Sequence, residues 1–216
     1  MTKSVEAESK QGLGKHRIEA LSDGIFAIAM TLLILDVKIP KIAEASLTPG
    51  FLPHVLLGLW PKFLTFAVSF VILGLFWIAH HGYSHFLTKT DRYFLWINLL
   101  FLMVVVFVPF STNFLGDYPQ HRASAMLYGC NIMMLGVMLH WQWEYATTKF
   151  RLVGSHMEPQ FVRQGKMRIR MGILANFVAV LLALVNPLIS LALYILFPFV
   201  YIMPSHIDRH WTHSHD

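Results

Sequence analysis

The sequence predicts an all-α integral membrane protein with six membrane-spanning helices. Hydrophobic residues make up 56% of the 216-residue chain and charged residues only 13%, which is too apolar for an ordinary soluble domain. A helix crosses a bilayer with about 20 residues, and the chain contains several apolar stretches of that length. A β-barrel is excluded, because the stretch LLFLMVVVFVPF is apolar at every position instead of at alternate ones.

Apolar length sets the bounds of the six expected spans. Pro61 suits the first turn of the second span, and Asn186-Pro187 suits a tight link between the fifth and sixth. An outer loop punctuated by Pro and Gly is expected at 39–59, and a polar inner loop at 146–166. The chain then divides into an amino-terminal segment (1–16), one transmembrane domain (17–204) and a His-rich tail (205–216). The spans lie near residues 17–38, 61–83, 92–115, 122–145, 167–186 and 188–204.

The basic residues predict the orientation. Thirteen of the seventeen Lys and Arg residues lie on the side of the two termini, so both termini are expected in the cytoplasm, with the chain in the cell (inner or plasma) membrane. These residues occupy short segments between apolar stretches, which argues against a nucleic-acid partner. Cys130 is the single cysteine, so the chain forms no internal disulfide and no thiolate metal site by itself.

The first span begins with polar residues. The apolar stretch from Ile25 to Leu35 is too short to cross a bilayer alone, so residues 17–23 complete the span. Arg17, Ser22 and Asp23 therefore lie at a depth where charged groups face other helices or water and not lipid. Spacing alone leaves two interpretations open, a functional site and a structural link between helices.

An aliphatic stripe follows these polar residues. Ile28, Leu32 and Leu35 lie within about 40° of one another on an α-helix. Thr31 borders the stripe, and Asp23 points about 140° away from Ile28. By spacing alone, the stripe is consistent with a pore wall, a lipid-facing surface or core packing. The sequence shows no internal repeat, so a symmetric pore requires several copies of the chain.

Four segments together resemble a known family. Arg17-x-x-x-Leu21-Ser22-Asp23, followed by AIAMTLLIL, resembles the R-x-x-x-F-S-D signature that opens the first helix in the transmembrane protein 175 family. That family comprises endolysosomal potassium channels and their bacterial relatives. Leu21 replaces the aromatic residue of the signature, which alters packing more than polarity. Three further segments match in order: Trp77-Ile-Ala-His80-His81, Asn98-Leu-Leu-Phe-Leu and Val108-Pro-Phe-Ser-Thr112.

The resemblance implies a potassium channel built as a homotetramer of six-helix subunits, with the first helices lining the pore in the bilayer. It places the constriction, a hydrophobic gate, at Ile28, Leu32 and Leu35, with the Thr31 hydroxyl beside it. It also implies that Arg17, Ser22 and Asp23 are held by polar side chains of helices two and three. The available partners are Trp77, His80, His81 and Asn98.

Such a channel selects ions without a carbonyl-lined filter, since the sequence has no T-V-G-Y-G segment. An aliphatic ring offers no ligands, so an ion passes it only by shedding part of its hydration shell. Potassium is more weakly hydrated than sodium and is expected to pass with a modest preference over it. Other monovalent cations are expected to pass as well. The resemblance implies no enzymatic activity, no metal and no cofactor beyond the permeant ion.

Two other functions deserve comparison. A secondary transporter is expected to show inverted repeats and matching broken helices, and the prolines of this chain do not pair in that way. A histidine-ligated metalloprotein would rest on His80, His81, His85 and His140, of which His81 and His85 are spaced i, i+4. No H-E-x-x-H pattern or nearby carboxylate supports it. The tail histidines are expected to be solvated.

Overall fold

The described part of the chain is a bundle of seven helices. The computed structural model describes residues 2–35, 37–39, 51–154 and 158–202, with side chains described between residues 15 and 199 of those ranges. A short 3-10 turn, Thr148–Phe150, follows the fourth long helix. The helices are α1 (Thr2–Leu35), α2 (Phe51–Gly58), α3 (Trp60–His85), α4 (Arg92–Asp117), α5 (Arg122–Thr147), α6 (Pro159–Ala183) and α7 (Pro187–Ile202).

Four helices in the described residues are long and apolar enough to cross a membrane. These segments are Lys15–Leu35, Trp60–His85, Arg92–Asp117 and Arg122–Phe150. The expectation of an all-α, multi-pass membrane protein is therefore confirmed. The two remaining long helices are less apolar or shorter, because the first half of α6 is basic and the apolar part of α7 spans only Pro187–Phe199.

Several helix bounds differ from the expected ones. α1 begins at Thr2 and not near residue 17, because residues 2–16 contain good helix formers such as Glu, Ala, Lys and Gln. The expected outer loop contains α2, and the inner loop is shorter than 146–166 because α6 begins at Pro159. Proline suits that first helical position. Apolar length marks the part of a helix inside the bilayer, whereas the helix itself extends into water. The expected tail, 205–216, lies outside the described residues.

α1 packs through one face only. Its buried side chains Phe26, Ala29 and Leu33 are each 1% exposed and contact α3 and α4. α5 packs between α4 and α6, and α7 lies against α3, α5 and α6. α1 thus stands at one side of the bundle and α6 at the other, so no element in the described ranges packs closely on the opposite face of α1.

A charged cluster joins α5 to α6. The Glu144 carboxylate lies 3.0 Å from Lys166 Nζ and 3.8 Å from Arg170 Nη2. Arg170 Nε also donates a hydrogen bond of 3.3 Å to His140 Nε2. Lys166 and Arg170 of α6 are therefore matched by polar groups of α5, which suits charged residues near a membrane.

Candidate functional site

A buried hydrogen-bond network connects four helices around Ser22 of α1. Asn98 of α4 donates through Nδ2 to Ser22 Oγ over 3.3 Å. The Asn98 Oδ1 atom accepts from His80 Nε2 of α3 at 2.9 Å and from Gln142 Nε2 of α5 at 3.3 Å. All four side chains are buried. Asn98 is the central residue of this network, which ties the buried face of α1 to the rest of the bundle.

Aromatic packing fixes the His80 ring in this network. The ring stacks on Phe101 with centroids 5.1 Å apart and planes 7° from parallel, and Phe26 of α1 lies 6.3 Å away. Because the Asn98 oxygen only accepts, His80 Nε2 carries the shared hydrogen. The ring is thereby oriented by both stacking and hydrogen bonding, which leaves it little rotational freedom.

Asp23 makes a separate contact at the edge of the subunit. Trp77 Nε1 of α3 donates to Asp23 Oδ1 over 2.8 Å, and the His81 ring stacks on Trp77 at 5.7 Å. Unlike Ser22, the side chains of Asp23, Trp77 and His81 are exposed in the single subunit. A carboxylate exposed on a membrane helix requires water or another protein surface beside it.

Arg17 points away from both contacts. Its side chain is exposed, and it takes part in none of the hydrogen bonds or ion pairs that the described residues show. Arg17 and Ile28 are eleven positions apart, which leaves them about 20° apart around the helix axis. The structure thus separates the signature into Ser22 in the core, Asp23 at the edge and Arg17 on the face of the aliphatic stripe.

The aliphatic stripe is the uncovered face of α1. Ile28 is 60% exposed, Leu32 40% and Leu35 65%, opposite the buried face of the same helix. Thr31 borders this face, and its hydroxyl lies 3.0 Å from the Ala27 carbonyl and 2.9 Å from that of Ile28. Its hydrogen is therefore used within the helix, while its oxygen keeps a lone pair as an acceptor.

Sequence reasoning missed part of the polar interior. Gln142 joins the network, although only its polar character within an apolar span signalled this. A second buried cluster links α3, α4 and α5. Thr112 donates to Ser69 at 2.9 Å, and Ser69 lies 3.0 Å from the Tyr128 hydroxyl. Asn131 also donates to Ser111 over 2.9 Å. Both clusters lie inside the subunit, where they link neighbouring helices.

The described histidines are not grouped as the ligands of a metal site would be. His80 contacts Asn98, and His140 contacts Arg170 and Glu144. Across the described ranges, no group of three or more His, Cys, Asp or Glu side chains is close enough to hold a metal ion. The i, i+4 pair His81 and His85 thus has no third ligand among those residues.

Comparison with known proteins identifies relatives over most of the chain. The family model described as the endosomal/lysosomal potassium channel TMEM175 matches residues 17–109. A potassium channel of Streptomyces collinus is 37% identical over 180 residues, which cover 82% of this chain and 85% of that protein. A potassium channel of Chamaesiphon minutus is 41% identical over 154 residues, 69% of this chain and 73% of its own length.

A solved structure also shares the fold. The crystal structure of a lysosomal potassium-selective channel TMEM175 homologue from Chamaesiphon minutus superimposes with a TM-score of 0.77 at 31% identity. The match covers 87% of this chain and 96% of that one. The similarity therefore extends over most of the described helices.

Proposed function

The chain belongs to the TMEM175 family, and on that premise we propose that it is a potassium channel. The observation that carries the proposal is the uncovered face of α1, where exposed aliphatic side chains lie on the same helix as exposed charges. Asp23 and Arg17 both lie within the apolar segment Lys15–Leu35, where a lipid contact is costly. A water-filled path and neighbouring copies satisfy these groups, and the aliphatic stripe then faces that path.

A pore of this kind requires several copies of the chain. Each subunit contributes one stripe, formed by Ile28, Leu32 and Leu35, and one helix face cannot surround an ion. A homotetramer with α1 nearest the symmetry axis supplies four stripes and closes the ring. In this arrangement α3 and α4 support α1 from behind, and the Ser22–Asn98 hydrogen bond holds its orientation.

Selection in this pore depends on hydration. The stripe has no side-chain ligands for an ion except the Thr31 oxygen, so the barrier rises with the amount of water that an ion must shed. A modest preference for potassium over sodium follows. A narrow aliphatic ring also excludes water, so the same residues act as a hydrophobic gate.

The proposed topology has six spans with both termini in the cytoplasm. α6 and α7 provide the fifth and sixth spans, because Arg170 and Lys166 are matched by Glu144 and the second half of α6 and most of α7 are apolar. The basic segments between α3 and α4 and between α5 and α6 then face the cytoplasm.

Recording from planar bilayers tests the function. The purified protein is expected to give unitary currents that are carried by potassium and, to a lesser extent, by sodium when gradients of the two ions are imposed. The control is a bilayer treated with detergent and lipid alone. Saturable flux that is coupled to a second ion and lacks unitary currents would instead identify a secondary transporter.

Cysteine crosslinking tests the architecture. If four α1 helices pack about 9 Å apart, the axis-facing Cα atoms of adjacent helices lie about 6 Å apart, within reach of a disulfide. Oxidation of Ile28→Cys, in a Cys130→Ser background, is therefore expected to give dimers. Ile34→Cys is the matched control, because Ile34 is 42% exposed but lies about 120° away around the helix. Stronger crosslinking at position 34 than at 28 would place α1 in another orientation.

A further inference from the structure

A small cavity lies beside the buried network, between α3, α4 and α5. The space open to the centre of a water molecule is about 10 Å³, and the polar residues that line it include His80, Ser84 and Gln142. Apolar side chains such as Phe94 and Leu139 form much of the remaining wall. A cavity of this volume holds one water molecule when about two to four polar groups line it.

Two acceptor atoms of the network lack a partner among the described residues. His80 and Gln142 each donate to Asn98 Oδ1, and each uses its Nε2 atom to do so. The described hydrogen bonds therefore leave His80 Nδ1 and Gln142 Oε1 unused, and both atoms are acceptors in this arrangement. An acceptor inside a protein is unfavourable when nothing donates to it.

Both free acceptors open onto the cavity. His80 is 6% exposed and Gln142 is 4% exposed, so neither side chain reaches far toward the surface. Trp143 Nε1 is fully enclosed without a partner, but neither His80 Nδ1 nor Gln142 Oε1 is enclosed in that way. Each acceptor thus keeps some open surface within the bundle. Because both residues line the same cavity, that surface faces it.

Ser84 supplies a donor to the same cavity. Its hydroxyl donates to the His81 carbonyl over 2.9 Å, within its own helix. The hydroxyl hydrogen rotates about the Cβ–Oγ bond, so it also reaches a molecule in the cavity. A water molecule has two hydrogens for the two acceptors and an oxygen for this donor. About three hydrogen bonds are typical of a buried water.

We propose that the cavity binds one ordered water molecule, which donates to His80 Nδ1 and Gln142 Oε1 and accepts from the Ser84 hydroxyl. Such a water requires an unprotonated Nδ1, so it fixes the His80 tautomer with its hydrogen on Nε2. Asn98 Oδ1 accepts that same hydrogen. The water therefore sets the direction of the hydrogen bonds that hold Ser22 of α1, whether or not the chain conducts ions.

Solid-state NMR of the full chain in lipid bilayers tests the site. The probe is water itself, from which magnetisation is transferred to the nitrogens of isotope-labelled histidine. The His80 signals are identified by the contact between the Nε2 hydrogen and the Asn98 side chain. In the unmodified protein, we expect the tautomer with hydrogen on Nε2 and a close water contact at Nδ1.

Three variants locate the water. Ala146 is a buried residue of the cavity wall, so Ala146→Val is expected to displace the water and remove its contact with Nδ1. Ser84→Ala removes the donor and is expected to weaken that contact. Ser124→Ala is the matched control, because the buried Ser124 hydroxyl also donates to a carbonyl three positions earlier, that of His121, and lies outside the cavity lining.

The unmodified protein already decides the proposal, even if a variant does not fold. A hydrogen on His80 Nδ1, or an Nδ1 atom without a water contact, would overturn it. A contact that persists in Ala146→Val, or that weakens as much in Ser124→Ala as in Ser84→Ala, would also overturn it, because the water would then lie outside the cavity. Loss in Ala146→Val and retention in Ser124→Ala support the site.

Discussion

Replacing Ile28 by asparagine is expected to abolish most of the preference for potassium over sodium. The amide hydrates the narrowest ring, so an ion no longer sheds water to pass it. Ile28→Ala widens the same ring and is expected to raise unitary conductance several-fold, since lowering a barrier by about 1.4 kcal/mol speeds passage about tenfold. Both effects are measured by single-channel recording, with reversal potentials in potassium and sodium gradients.

Ile34 provides the control for Ile28. Ile34→Asn introduces the same amide at an exposed position of the same helix, away from the stripe. Its currents are expected to keep the selectivity of the unmodified chain. Unchanged currents in both Ile28 variants would move the constriction to Leu32 or Leu35, and a larger effect at Ile34 would show that α1 faces the axis through another side.

Replacing Asn98 by leucine is expected to destabilise the subunit by about 1 to 3 kcal/mol. The substitution leaves the polar atoms of Ser22, His80 and Gln142 buried without the partner that joins them. Leaving a buried polar group without a partner costs more free energy than a single neutral hydrogen bond contributes. The measurement is reversible unfolding in mixed micelles, where the midpoint of the Asn98→Leu variant is expected to fall.

Asn176→Leu is the matched substitution for Asn98. Asn176 is similarly buried, but its Nδ2 donates to the Gly172 carbonyl within its own helix. Its loss strands no side chain of another helix, so a smaller fall in stability is expected. Equal losses for the two variants would mean that the network around Asn98 contributes no more than one local hydrogen bond.

The sequence predicted the class of fold well, because the apolar length of a span is set directly by bilayer thickness. Helix ends were predicted less well. α1 continues to Thr2 and α6 begins at Pro159, since a helix stops where its backbone hydrogen bonds stop and not where its side chains become polar. Hydropathy cannot report that difference.

The residues of the candidate site were easier to predict than the contacts that they make with one another. Periodicity placed Ile28, Leu32 and Leu35 on one face, and the structure leaves that face uncovered. The polar partners depend on how α3, α4 and α5 pack, which a linear pattern does not encode. For that reason the role of Gln142 was missed. Arg17 was expected to have polar partners on other helices, but the described contacts give it none.

The charged cluster between α5 and α6 bears on how the chain is made. On insertion scales a basic residue near the middle of a span costs about 2.5 to 3.5 kcal/mol, and the basic residues of α6 extend to Arg170, near the middle of the helix. Glu144 precedes them in the chain, so in the proposed topology α5 is synthesised, with its carboxylate, before α6 leaves the ribosome. We therefore expect α5 and α6 to enter the bilayer together as a helical hairpin, which makes α5 a guide for the biogenesis of the last third of the protein.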